Sequence, residues 1–184
     1  MQNFDFCSPT ELVFGRGVET EIGTRLARRF PGGKVFLVYG GGSIKRTGLY
    51  DRVKQSLLDA GLSVREKGGV HPNPEVGFIR ELIAEAREWR PDVLLAVGGG
   101  SVIDTVKAAS MGIPYDGDVW DFFIGRAVCE KATPISVILT IPAAGSELSM
   151  RVVVTNGEKK LGTASQHIRS FMSLIDPELF FTLP

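Results

Sequence analysis

KVFLVYGGGS at Lys34–Ser43 and DVLLAVGGGS at Asp92–Ser101 carry the reading of this sequence. Each is a short apolar run that ends in three glycines and a serine. The runs are rich in β-formers and do not alternate with polar residues, which predicts strands buried on both faces. A helical pattern follows each glycine turn. After the first, Leu49, Tyr50, Val53, Leu57 and Leu58 recur at helical spacing until Gly61 ends the helix. After the second comes a helix with small residues, through Lys107, Ala108, Ala109 and Ser110. Strand, glycine turn and helix, repeated, is most economically built as adjacent parallel strands with right-handed helical crossovers.

The flanks agree. Upstream, a short apolar segment at Glu11–Gly15 precedes a helix pattern of Val18, Ile22, Leu26 and Phe30, stopped by Pro31–Gly33. Between the two key stretches, Leu62–Arg65 reads as a short strand and Gly68–Pro74 (GGVHPNP) as a loop in which Pro72 and Pro74 hold Asn73 extended. Val76, Ile79, Leu82, Ile83, Ala86 and Trp89 share one helix face, and Pro91 ends it. Downstream, Ile135–Thr140 is a buried strand followed by PAAGSE. RVVVTNGEKK predicts a hairpin turning at Asn156–Gly157, and Phe171–Ile175 is a last apolar run. Trp120, Phe122 and Phe123 read as packing anchors. The expected fold is α/β over residues 1–184 as one domain: a mostly parallel, Rossmann-like sheet flanked by helices, with a small β-hairpin appendage.

Composition narrows the function classes. Hydrophobic residues make up 43% and charged residues 23%, normal for a globular protein. Lys+Arg and Asp+Glu are both 21, so the electrostatic footprint of a nucleic-acid binder is missing. No apolar run reaches the ~20 residues of a membrane span and the N-terminus has no apolar signal core, so the expected compartment is cytoplasmic. The cysteines, Cys7 and Cys129, form no CxxC, and the histidines, His71 and His167, have no partner at metal-ligand spacing. Neither a disulfide framework nor a metal site is expected in this chain.

A glycine-rich turn between a buried strand and a helix lets the backbone approach a phosphate and aim its N–H groups at it, with the positive helix end behind them. Two such turns, Gly40–Ser43 and Gly98–Ser101, suggest a dinucleotide across the carboxyl ends of the strands. Neither is GxGxxG or a Walker A loop, and tight-turn geometry alone is the competing account. Asp104, three residues past Ser101, reads from spacing as a carboxylate matched to the helix dipole; positioning a ligand's sugar or amide is the functional alternative. Ser146 lies in another small-residue turn after a strand, and Thr140 ends that strand with a hydroxyl able to face the crevice. Lys160, His71 and His167 read by themselves as solvated surface or loop residues.

The succession resembles the N-terminal half of the iron-containing (group III) alcohol dehydrogenases, most closely the butanol dehydrogenase branch. The matching pieces are SPTELVFGRG (Ser8–Gly17), LVYGGGSIKRTGLYDRV (Leu37–Val53), GGVHPNPEV (Gly68–Val76), AVGGGSVIDTVKAAS (Ala96–Ser110), DVWDFF (Asp118–Phe123), LTIPAAGSE (Leu139–Glu147) and LIDPELFFTLP (Leu174–Pro184). The resemblance implies an NAD or NADP site. Gly99, Gly100 and Ser101 would hold the pyrophosphate, and Gly41, Gly42 and Ser43 would lie by the adenosine ribose. Asn73 would lie in a loop that contacts the cofactor, and Asp104, Thr140, Ser146, Ser149 and Lys160 would lie at or beside the nicotinamide half. Where many relatives carry TGSE, this sequence has Ala144-Gly145-Ser146-Glu147, one hydroxyl fewer for the cofactor.

In that family a divalent metal, iron or zinc, is held by one Asp and three His of a helical C-terminal domain that begins just after the DPxxxxTLP segment. Neither His71 nor His167 matches a ligand position. The expectation is therefore the cofactor half of an enzyme that interconverts short primary alcohols and aldehydes, without the metal-binding domain, with no catalytic or metal residue of its own and inactive alone. Self-association is one way to bury the apolar face that the other domain covers. Rival readings are a dehydroquinate synthase-like enzyme of the same architecture and a non-catalytic nucleotide-binding module. No Asp or Glu follows Tyr39 until Asp51, while Ser43, Lys45 and Arg46 can meet a phosphate. That predicts tolerance of NADP with a modest preference for it over NAD.

Overall fold

A computed structural model describes residues 7–181; Met1–Phe6 and Thr182–Pro184, including the end of the DPELFFTLP stretch, lie outside the described residues. The elements are β1 (Glu11–Phe14), α1 (Ile22–Arg29), β2 (Lys34–Gly40), α2 (Ser43–Arg46), α3 (Leu49–Asp59), β3 (Ser63–Val70) and α4 (Val76–Trp89). They continue with β4 (Val93–Gly98), α5 (Gly100–Gly112), β5 (Ile135–Leu139), β6 (Arg151–Asn156), β7 (Lys159–Ala164) and β8 (Met172–Ile175). Six strands form one sheet in the order β1-β8-β5-β4-β2-β3, parallel at every pairing. β6 and β7 form a separate antiparallel hairpin. The α/β sheet and its hairpin appendage are as the sequence predicts.

The apolar runs bury both faces because successive side chains point to opposite sides of the sheet. Val35, Leu37 and Tyr39 of β2, with Val93, Leu95 and Val97 of β4, pack on α1 and α3 through Ile22, Leu26, Val53 and Leu57. Phe36, Val38, Leu94 and Ala96 point the other way, onto α4 and α5 through Ile79, Leu82, Ile103 and Val106. Each Val, Leu, Ile or Phe among them contributes about 1.5–3 kcal/mol by leaving water. Trp120 and Phe123 stack with centroids 5.3 Å apart and belong to the second core, as the anchor reading predicts.

The order of strands positions the site. From β2 the chain steps outward to β3, then crosses back through α4 to β4 on the other side of β2. The direction of winding thus reverses between β2 and β4, and both glycine turns leave the sheet there. A crevice opens at such a switch point because the two following segments depart to opposite faces.

Three local expectations need correction. β3 runs to Val70, so Gly68–Val70 is strand and not loop. Gly68 is there for close packing: a Cβ on it would stand 2.4 Å from the Tyr39 ring. Asn73 is not extended between its prolines; its φ is 59°. Asparagine is among the few residues that enter this left-handed region readily. The hairpin turn lies at Gly157–Glu158, one residue later than read, with Asn156 paired to Lys159.

Candidate functional site

The two glycine turns face each other across a cavity of about 320 Å³. Gly41 and Ser43 from the first turn, Gly99, Gly100 and Ser101 from the second, and Thr140 beyond β5 all line it. Gly42 does not line it; at φ 103° it caps α2 from outside. Thr140 is fixed by its N–H, which donates to the Gly98 carbonyl at 3.1 Å. No side chain caps the N-terminus of α5, so the first helical turn presents its backbone to the crevice. A Cβ built on Gly41 or Gly100 meets nothing within 4 Å, and one on Gly99 makes ordinary contact with Ile141 at 3.5 Å. The cradle is therefore open where a phosphate needs backbone access.

A second cavity of about 510 Å³ adjoins the first and shares Ser43, Ile44, Thr140 and Ile141 with it. Its far wall is Glu19, Arg52, Asp176 and Leu179. Asp176 is buried and ties two loops together, accepting from the backbone N–H of Gly17 at 2.9 Å and of Glu178 at 2.8 Å. Glu19 is also buried; its Oε1 accepts from Arg52 Nε at 3.0 Å, and its Oε2 has no partner. Sequence reasoning missed this wall. Glu19 follows β1, Asp176 and Leu179 follow β8, and Arg52 comes from α3; the β1–β8 pairing joins segments about 160 positions apart, as in the Gly17–Asp176 contact.

The remaining predicted residues form a polar cluster beside the crevice, next to its lining residues Pro72 and Ala143. Lys160, on β7, donates to Asn73 Oδ1 at 2.7 Å, so it is not a lone solvated lysine. Asp104 does not cap its helix. Its carboxylate accepts from Ser146 Oγ at 2.5 Å and from the Val153 N–H at 3.2 Å, linking α5 to the PAAGSE turn and to β6. Burial pushes its carboxyl above the ordinary aspartate value, against the opposing effect of those two hydrogen bonds. The dipole-matching expectation fails because the side chain turns away from the helix start, toward one donor on the PAAGSE turn and one on β6. Ser149 Oγ accepts from the Arg151 N–H at 2.9 Å.

Lys107 was missed as more than a helix residue. It is fully buried, and Nζ donates to the carbonyls of Ser146, Ser149 and Arg151 at 2.6, 2.7 and 3.0 Å. Burial pulls its pKa down to about 8. One signal was available: a lysine inside the otherwise small and apolar run VKAAS. His71 lines the crevice edge as an exposed loop residue. Among the described residues no three His, Cys, Asp or Glu side chains converge, so these residues do not fit the divalent metal that the resemblance implies. Among them, too, no helix is long and apolar enough to cross a membrane.

Comparison with known proteins agrees with this geometry. The sequence model of the iron-containing alcohol dehydrogenases matches residues 9–177. A probable NADH-dependent butanol dehydrogenase of Bacillus subtilis is 45% identical over 100% of this chain and 47% of its own length. The NADPH-dependent aldehyde reductase YqhD of Escherichia coli is 35% identical over 100% of this chain and 48% of its own. The crystal structure of NADH-dependent butanol dehydrogenase A from Thermotoga maritima superposes with a TM-score of 0.96 at 44% identity, covering 100% of this chain and 46% of that one. The chain spans about half the length of the curated relatives it matches. A doubly wound parallel sheet with two open glycine turns at its switch point, matched by the family's own sequence pattern from end to end of the described core, has one reading: the chain belongs to the iron-containing alcohol dehydrogenase family.

Proposed function

We propose that this chain is the dinucleotide-binding half of a butanol dehydrogenase-like enzyme that interconverts short primary alcohols and aldehydes. The observation that carries the reading is the open glycine crevice at the β2/β4 switch point, formed by residues that coincide with the family pattern. A dinucleotide fits it. The uncapped start of α5 at Gly99, Gly100 and Ser101 suits the pyrophosphate. Gly41 and Ser43 suit the adenosine ribose, Gly42 shaping the turn between them, with the adjoining 510 Å³ cavity beyond Ser43 for the base. Thr140 and the cluster of Asn73, Asp104, Ser146, Ser149 and Lys160 suit the nicotinamide end. When bound, the nicotinamide ring supplies hydride acceptance or donation. This chain's residues would bind and orient it, and among the described residues no His, Cys, Asp or Glu cluster converges to hold a metal.

Discrimination between the two dinucleotides is proposed to be weak. The first turn has no carboxylate to repel a 2′-phosphate, which favours tolerance of NADP. Lys45, however, lies over the rings of Tyr39 and Tyr50 at 5.1 and 4.7 Å, so one of the two cations invoked for a phosphate has other partners. Relatives of both kinds exist, one named NADH-dependent and one NADPH-dependent.

Titration calorimetry with NADH and NADPH tests the site, using wild type and Gly99→Val. The first atom of the new side chain makes an ordinary contact with Ile141, so the fold is expected to persist. The valine then occupies the space a phosphate needs, and affinity for both cofactors is expected to fall at least tenfold. Equal binding by the variant would overturn the phosphate assignment.

A further inference from the structure

The stretch from Ser146 to Met150, between β5 and β6, has no helix or strand, yet its backbone is held at nearly every carbonyl by a side chain. Glu147 O accepts from Ser170 Oγ at 2.5 Å and Ser173 Oγ at 2.8 Å. Leu148 O accepts from the Arg169 guanidinium. Ser146 O, Ser149 O and the first carbonyl of β6, on Arg151, all accept from the Lys107 ammonium. Lys107 therefore uses all three of its protons on one segment, and it does so with no exposure to water. That segment supplies Ser146 to Asp104 and leads into the hairpin whose Lys160 meets Asn73.

Building on the dinucleotide reading above, we infer that Lys107 is a positioning residue of the cofactor site, and that the site keeps its shape only while the Lys107 amine is a charged, three-proton donor. The reason is a count of donors. An ammonium has three protons for three carbonyls. A neutral amine has two and a lone pair, so one carbonyl must face a lone pair and move away. One of Ser146, Ser149 and the start of β6 then loses its anchor on α5, and the nicotinamide wall of the crevice slackens.

The groups facing Lys107 set the pH at which this happens. Burial favours the neutral amine most strongly; Asp104 of α5 and Glu147 of the segment favour the charge, and Arg169 opposes it. The balance leaves its pKa at about 8. Loss of shape thus begins within the ordinary working range of an enzyme.

The sign of the effect separates positioning from simple stability. The amine's pKa is lower folded than unfolded, so the unfolded chain binds more protons between about 8 and 10.5. Lys107 therefore makes the fold more stable as pH rises through that window, while the inference requires cofactor affinity to fall.

The test measures NADH dissociation constants and thermal stability of this chain from pH 6.5 to 9.5, for wild type and Lys107→Met. NADH has no group that titrates between pH 7 and 9.5. Wild-type affinity is expected to drop roughly tenfold, the loss of about one hydrogen bond's worth of order, with a midpoint near pH 8. Lys107→Met, with no donor left, should bind at or below the weak, high-pH level throughout, with a flat profile. If the variant does not fold, the wild-type profile decides alone. Binding that is flat across this range, or that rises with stability, overturns the inference and leaves the site standing. No binding at any pH overturns the dinucleotide reading and the inference together.

Discussion

Gly41 and Gly42 are neighbours in one turn with different constraints. Gly42 has φ 103°, a conformation that costs any side chain, whereas Gly41 has no such angle and faces open space. An aspartate tests the ribose end at both. Gly41→Asp is expected to leave stability within about 0.5 kcal/mol and to weaken NADPH roughly tenfold more than NADH by like-charge repulsion of the 2′-phosphate. Gly42→Asp is expected to cost about 1–2 kcal/mol in backbone strain before any ligand is added. Urea melts and parallel titrations of both cofactors check this pair; an unchanged NADPH/NADH ratio in Gly41→Asp would move the 2′-site elsewhere. At this scale the sequence was partly legible. Gly99, Gly100 and Ser101 were legible as a turn opening on a crevice because a strand and a helix bracket them in the chain. The partners of Asp104 and Lys107 were not legible because they lie on the loop before β6 and on β6 itself, roughly 40 residues on, as in the 42-residue span from Asp104 to Ser146.

At the scale of elements, the strand-to-helix junctions hold the crevice open. Gly98 ends β4 against the first turn of α5, where an added Cβ would stand 2.5 Å from Val102 Cγ2 and 2.8 Å from its Cβ. Gly98→Ala is expected to cost about 1–3 kcal/mol by overpacking. Val102→Ala alone should cost about 1–2 kcal/mol, since Val102 is buried. The two contacts are the same contact, so the double variant should be less damaged than the sum of the singles. Denaturant unfolding of the four proteins settles it, and strict additivity would mean that the junction does not strain as argued. The buried strands and amphipathic helices were legible for the same reason that they are stable: each carries its whole period within a few residues. β3 was cut short because Gly68 and Gly69 look like a turn in isolation. Only the Tyr39 ring above Gly68 explains why a strand needs a glycine there.

For the molecule as a whole, the proposed function separates cofactor binding from turnover. The carboxyl ends of β2, β4 and β5 bring two adjoining cavities to one edge of the sheet, where the proposed dinucleotide would lie. Residues able to hold the family's metal are a different matter, since none converge among the described ones. Exposed apolar side chains lie near the cavities, Ile141 beside the crevice and Phe181 just past the Asp176 loop, and 78% of Phe181 is open to solvent. The expected behaviour is a chain that binds NADH without using it. Ligand at 100 times its dissociation constant stabilises the folded state by about 2.7 kcal/mol. For a chain of this size that raises the melting temperature by about 5–10 °C. In the same preparation, supplied with iron or zinc, butanol oxidation and butanal reduction are expected to stay at background. A melting temperature indifferent to NADH would remove the site. Turnover by the pure 184-residue chain would show that it assembles a substrate-polarising centre from its own residues, and the division of labour proposed here would be wrong.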